Sequence, residues 1–157
     1  MIQLKTITNE NFDECIRLDL EDEQWKYVAA NMYSIAGAYV AITNNDFIPM
    51  LYAIYNEEAM VGFIAMSYER DARGDYFYDI YRFMIDKRYQ KKGYGKQALT
   101  AAVEILKSQP QGKASVAKII YTKDNVVAKK LYEAVGFIDT GKTNEDGDII
   151  AHFPLEN

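Results

Sequence analysis

The chain is poor in the residues that staple a fold or bind metals: among 157 residues there is one cysteine, Cys15, and one histidine, His152. A single cysteine excludes an internal disulfide and a thiolate metal cluster, and next to Ile16 in a helical pattern it reads as a buried structural thiol. A single histidine takes multi-histidine metal sites and His-based triads out of consideration, so no metal is expected. No apolar run reaches membrane-spanning length, and Met1-Ile2-Gln3-Leu4-Lys5 opens without the hydrophobic segment of a signal peptide. A soluble, cytoplasmic protein with no membrane partner is therefore expected. The P-loop pattern G-x-x-x-x-G-K-S/T is absent, as are repeats, linkers and low-complexity tracts. Chemistry is left to carboxylates, tyrosines, main-chain groups and a cofactor.

What is present is a 49% apolar chain, long enough for one domain over residues 1–157 with a substantial core. Its densest signal lies between Tyr78 and Lys107. Tyr78-Asp79-Ile80-Tyr81-Arg82-Phe83-Met84-Ile85 is aromatic and β-branched, which predicts a strand. From Gln97 to Lys107, the residues Ala98, Leu99, Ala102, Val103 and Leu106 share one face at helical spacing. Between them Gln90-Lys91-Lys92-Gly93-Tyr94-Gly95 sits at a helix N-terminus, where open N–H groups and the helix dipole favour an anion and glycines let it approach. Lys87, Arg88, Lys91, Lys92 and Lys96 crowd this loop on a chain whose formal net charge is -5. A basic island on an acidic protein fits a small polyanion better than a nucleic-acid face. Gly93-x-Gly95-x-x-Ala98 also matches a dinucleotide fingerprint, but there the first glycine comes directly off the strand, whereas Asp86 to Lys92 intervene here.

Taken in order, Ile2 to Ile7 predicts a strand, and Thr8-Asn9 a cap before a helix carrying Phe12, Cys15 and Ile16. A longer helix is predicted from the period of Trp25, Val28, Ala29, Met32, Ile35, Ala36 and Tyr39, ending at Thr43 to Asp46. Met50 to Tyr55 and Val61 to Tyr68 read as an antiparallel hairpin turning at Glu57-Glu58. Beyond the central helix, Val116 to Thr122 is a strand, parallel to the one before the loop because a helix joins them. Asp124-Asn125 caps a last helix ending at Gly136, and Phe137 to Thr140 with Asp148 to Phe153 closes the chain as a hairpin. Together these make a mixed α/β sheet flanked by helices.

Two motifs carry a family resemblance: Gln90-x-x-Gly93-x-Gly95 after a strand ending in Met84-Ile85, and then Asn125-x-x-Ala128-x-x-Leu131-Tyr132-x-x-x-Gly136-Phe137. In that order they resemble the GCN5-related N-acetyltransferases (GNAT). The segments Gln24 to Asn31 and Tyr81 to Asp86 look like the bacterial diamine and spermine/spermidine members. The resemblance implies the GNAT fold: a mixed, mostly antiparallel central sheet with a parallel splayed strand pair, flanked by helices. It implies acetyl-CoA as cosubstrate, with main-chain contacts at Phe83, Met84 and Ile85, and pyrophosphate on the amides of Gln90, Lys91, Lys92, Gly93, Tyr94 and Gly95. Lys87, Arg88, Lys91 or Lys92 would meet the 3′-phosphate. Asn125 is either a coenzyme contact or only a cap.

Tyr132 shares a helix face with Asn125 and Ala128 and would be the proton donor to the departing thiolate. The glutamate that some members use as base is replaced by Tyr81, with Arg82 beside it. Asp79, on the same face as Tyr81, is then a base acting through water, a surface carboxylate, or the partner of Arg82. The implied acceptor is a small cationic amine, a polyamine such as spermidine or spermine. Residues 10 to 23 are rich in acids, which either steer such a cation, Glu21 and Glu23 among them, or form a solvated helix face. Tyr27 adds a cation–π surface or simply packs. Another amine, or a non-catalytic coenzyme-binding module, are the alternatives. A homodimer through the C-terminal hairpin is also conceivable.

Overall fold

A computed structural model describes residues 1–156. The elements are β1 (Ile2–Thr6), α1 (Phe12–Arg17), α2 (Asn31–Asn44), β2 (Ile48–Asn56), β3 (Ala59–Arg70), β4 (Tyr76–Ile85), α3 (Tyr94–Lys107), β5 (Val116–Tyr121), α4 (Val126–Val135), β6 (Ile138–Thr143) and β7 (Ile149–Pro154). The strands form one sheet in the order β1-β2-β3-β4-β5-β7-β6. Every neighbouring pair is antiparallel except β4 with β5, the two strands joined by α3. The predicted mixed sheet with one parallel pair is therefore the observed one.

Helices cover both faces, and β3 is buried on each, as its unbroken apolar run requires. Along β3, Val61, Ile64 and Met66 pack with Ala98, Leu99, Leu106 and the α4 residue Ala128. The alternate residues Met60, Phe63 and Ala65 pack instead with Cys15, Leu18 and Leu20 around α1. Burial raises the Cys15 thiol to about 12 with help from Glu14, which makes it the inert structural thiol its setting implies.

Two features make the site. First, the β4–β5 ladder covers only Tyr78–Ile80 against Ala117–Ile119, after which the two strands part. Second, β4 bulges: Ala65 faces Arg82 and Met66 faces Ile80, so Tyr81 has no opposite number on β3. An extra residue reverses the alternation beyond it. Tyr78 and Ile80 face the α3/α4 side; past the bulge Phe83 and Ile85 do so, while Met84 joins the α1 side.

One predicted element is corrected. The helix expected from Trp25 begins only at Asn31. Residues Asp22–Gln24 form a 3₁₀ turn in which the Gln24 N–H donates to the Glu21 carbonyl at 2.9 Å and the Glu21 N–H donates to Gln24 Oε1 at 3.1 Å. Ala30 is extended (φ -58°, ψ 144°), and Asn31 anchors the true start by donating from Nδ2 to the Cys15 carbonyl at 2.9 Å. A turn with three residues per repeat mimics the i, i+3 spacing of a helix, which is why the apolar period misled.

Candidate active site

Where β4 and β5 diverge, a cleft of about 720 Å³ runs through the sheet. Its walls are the outer half of β4, the outer half of β5, the loop before α3, the first turns of α4 and the link between α1 and α2. Tyr27 and Lys26 of that link reach across to α4: the Tyr27 hydroxyl donates to Asp124 Oδ2 at 3.3 Å, and Lys26 Nζ lies 3.9 Å from the same oxygen.

The loop is braced from beneath. Asp86, only 1% exposed, accepts at Oδ1 from the Arg88 N–H (2.9 Å) and Nε (2.8 Å), and at Oδ2 from the Asp19 N–H (2.9 Å) and Arg88 Nη2 (3.2 Å). Burial pushes this carboxyl up, but the Arg88 and Asp19 hydrogen bonds outweigh it and leave it below the ordinary carboxylate value. Gln90 then donates from Nε2 to the Ile85 carbonyl and to Gln24 Oε1, each at 2.9 Å, while Gln24 Nε2 returns a bond to Gln90 Oε1. The side chain of Gln90 thus ties the loop to β4 and to the Glu21–Gln24 turn.

Above this brace, Lys91 and Gly93 take left-handed backbone conformations (φ 62° and 81°), and Gly93 caps α3. The main-chain N–H groups of Gly93, Tyr94, Gly95 and Lys96 meet no acceptor among the described residues. These are the orphan donors of a helix N-terminus, held open toward the cleft. A Cβ at Gly95 would sit 3.4 Å from Leu131 Cδ2 and 3.7 Å from Phe83 Cζ, ordinary contact distances, so α3 packs directly on α4 and β4 at this point. Lys87 is engaged by Asp19 at 2.7 Å and Arg88 by Asp86, which leaves Lys91, Lys92 and Lys96 without an ion pair among the described residues.

Opposite the loop, α4 begins at Asn125, whose Oδ1 accepts from the Ala128 N–H at 3.2 Å. The cap reading of Asn125 thus has its hydrogen bond, and the residue also lines the cleft. Tyr132, two turns on, sits edge-on to Tyr121 (centroids 5.4 Å apart) and to Phe137 (6.3 Å). Burial, with the neighbouring Tyr121, pushes its phenol up to about 12, so it carries its proton throughout the physiological range. On the other face Asp79 is half-buried; burial raises its carboxyl to about 7, against the lowering pull of Lys118 and Arg82 and with a further push from Glu69.

The fold brings together Phe83, Met84, Ile85, Gln90, Lys91, Gly93, Tyr94, Gly95, Asn125 and Tyr132 around one cleft, with Glu23, Tyr27 and Tyr81 on the same lining. Lys92, Glu21 and Asp79 stand outside it. Of the predicted acidic overhang only Glu23 reaches the wall, and Asp19 is spent on Lys87.

The model of the acetyltransferase (GNAT) family matches residues 7–137. The chain belongs to that family. It is an acetyl-CoA-dependent N-acetyltransferase. A curated relative, the spermine/spermidine N(1)-acetyltransferase of Bacillus subtilis (strain 168), is 28% identical over 152 residues, which is 94% of each chain. Among solved structures, an aminoglycoside acetyltransferase in complex with coenzyme A superposes with a TM-score of 0.74 at 16% identity, covering 98% of this chain and 95% of that one. The spermidine N-acetyltransferase of Vibrio cholerae in complex with coenzyme A and spermine gives 0.69 at 12% identity, with coverage of 98% and 95%. These likenesses establish the fold.

Sequence reasoning had no signal for Asp86, which looked like one acid in a basic stretch, nor for Arg82 as a cleft residue. Both depend on tertiary neighbours: the α1–α2 link for the first, the β4 bulge for the second.

Proposed function

We propose that this GNAT enzyme acetylates a primary amine of a small cationic acceptor, a polyamine of the spermidine or spermine kind. The observation that carries the reading is one cleft with open N–H groups from Gly93 to Lys96 at one end and the Tyr132 phenol in its wall. The amides of the Gln90–Gly95 loop receive the coenzyme pyrophosphate, with Lys91 or Lys92 free for the 3′-phosphate. Beyond Ile80 the β4 edge toward β5 has no ladder, so of Phe83, Met84 and Ile85 those main-chain groups that alternate toward that edge receive the pantetheine arm, the Ile85 carbonyl excepted because Gln90 already donates to it. Acetyl-CoA supplies an activated acetyl group; the amine nitrogen bonds to its carbonyl carbon, and the carbon–sulfur bond breaks. Tyr132 donates its hydroxyl hydrogen to the departing sulfur. Because a free thiol titrates near about 8.5, well below this phenol, the hydrogen bond itself is the main contribution and solvent completes the protonation. Asp79 takes the surplus amine proton through water. Its value of about 7 suits that task. Glu23, with the ring of Tyr27, receives the distal cation.

The curated relative supports the polyamine class. Release of free thiol from acetyl-CoA, followed across amines, tests it. Spermidine-dependent release is expected; release only with other amines would move the acceptor class, and coenzyme binding without any turnover would remove the catalytic reading. Tyr132→Phe is expected to lower kcat by more than about tenfold with coenzyme affinity largely kept. An unchanged kcat removes Tyr132 from the mechanism.

A further inference from the structure

The β4 bulge has a chemical consequence at the point where the strands part. Tyr81 and Arg82 are consecutive, yet the inserted residue turns both toward the α1 face, and the Arg82 guanidinium lies over the Tyr81 ring at 5.6 Å. Arg82 Nη1 donates to the Tyr81 carbonyl at 2.8 Å. Its Nε is one of two buried side-chain polar atoms with no partner among the described residues, the other being the Tyr81 hydroxyl. Nη2 also has no protein acceptor, and Arg82 enters no ion pair among the described residues. Asp79 acts on this cation only at longer range, outside ion-pair distance, and a half-buried guanidinium whose donors are not all satisfied is costly unless something else uses them.

We propose that the Arg82 guanidinium is the donor for the acetyl carbonyl oxygen, stabilising the negative charge that grows there as the amine adds. This rests on the acetyl-CoA reading of the cleft. With phosphates on the loop and the arm along Ile85 to Phe83, the thioester end comes next to residue 82, about 10 Å deeper than Ile85 at ~3.3 Å per residue. Arg82 lines the cleft at that level. It is fixed before any ligand arrives, by Nη1 on a main-chain carbonyl and by the stack on Tyr81, so no reorganisation accompanies the charge development. The acceptor of the proposed function is itself a cation and offers no anion to Arg82, whereas the carbonyl oxygen does.

The test needs no acceptor. Isotope-edited infrared difference spectra of acetyl-CoA carrying ¹³C at the carbonyl, bound to the protein, report carbonyl polarisation directly. The stretch is expected at lower frequency on the unmodified protein than in solution, and to return toward the solution value in Arg82→Met, which keeps the stem on Tyr81 but has no donor. In parallel kcat should fall by about 10²–10³-fold for every amine that the unmodified protein acetylates, as for loss of one preorganised donor. Thermal unfolding of Arg82→Met and Arg82→Lys checks the fold, and the lysine variant should recover part of the frequency shift. Identical carbonyl frequencies in the unmodified and Arg82→Met proteins would overturn the proposal even with turnover intact. So would a KM rise confined to carboxylate-bearing amines, which would assign Arg82 to the acceptor. Failure of the unmodified protein to bind acetyl-CoA would overturn the proposed function and this inference together.

Discussion

Asp86→Ala is the sharpest perturbation of the brace beneath the cofactor loop. The carboxylate accepts four hydrogen bonds, two of them from main-chain N–H groups, of Asp19 and Arg88. Alanine takes the acceptor from both part-buried amides, and at about 1 kcal/mol or more for each the loss is roughly 2 kcal/mol or more. The exposed Arg88 guanidinium returns to water and adds little. Against a total of about 5–15 kcal/mol for a typical domain, that is a large share. Urea unfolding followed by the fluorescence of Trp25, the single tryptophan, measures it; the midpoint should fall with the slope unchanged. The sign with pH is fixed by the lowered carboxyl: its contribution is complete above the unfolded value near about 4 and disappears as pH falls through the folded value. The difference between the two proteins should therefore close in strong acid. A loss below about 1 kcal/mol at pH 7, or a difference constant down to pH 2, would refute the argument, because either result would mean the two amides find other partners.

Two further outcomes follow from burial. Asp79 is raised from 3.8 to about 7, so folding takes up a proton there and stability falls as pH climbs between those values. Asp79→Asn should be more stable than the unmodified protein at pH 8 and equal to it below pH 4, read from melting temperatures at both; the same variant should flatten any rise of kcat/KM centred near pH 7. Tyr81→Phe deletes a buried hydroxyl with no partner among the described residues and should raise stability by about 1 kcal/mol, against the small loss expected of a satisfied phenol.

The strand, the loop and α3 were readable because each carries a local signal. An aromatic and β-branched run, two glycines at an anion-binding helix start and a clean apolar face need no knowledge of the rest of the chain. The start of α4 was equally legible, since Asn125 caps through its own side chain three residues along. The helix expected from Trp25 failed where tertiary contacts compete with local period: the reciprocal Glu21–Gln24 hydrogen bonds and the Asn31 anchor on the Cys15 carbonyl select a 3₁₀ turn and a late start. The basic island was half misread for the same reason. Five cations close in sequence look equivalent, yet two are consumed by Asp19 and Asp86.

By itself the sequence determined the kinds of group available and their local geometry: a phosphate-sized cradle of glycines and lysines, a tyrosine on a capped helix, and no thiol or imidazole set to compete with them. Tertiary structure alone decided which of those groups meet. Asp79 and Tyr132 stand on opposite faces of the sheet, the acids of α1 mostly face away from the cleft, and one extra residue in β4 turns Arg82 into its wall. Local signals are set by neighbours along the chain, whereas a bulge and a parting of strands are set by hydrogen-bond partners far apart in it.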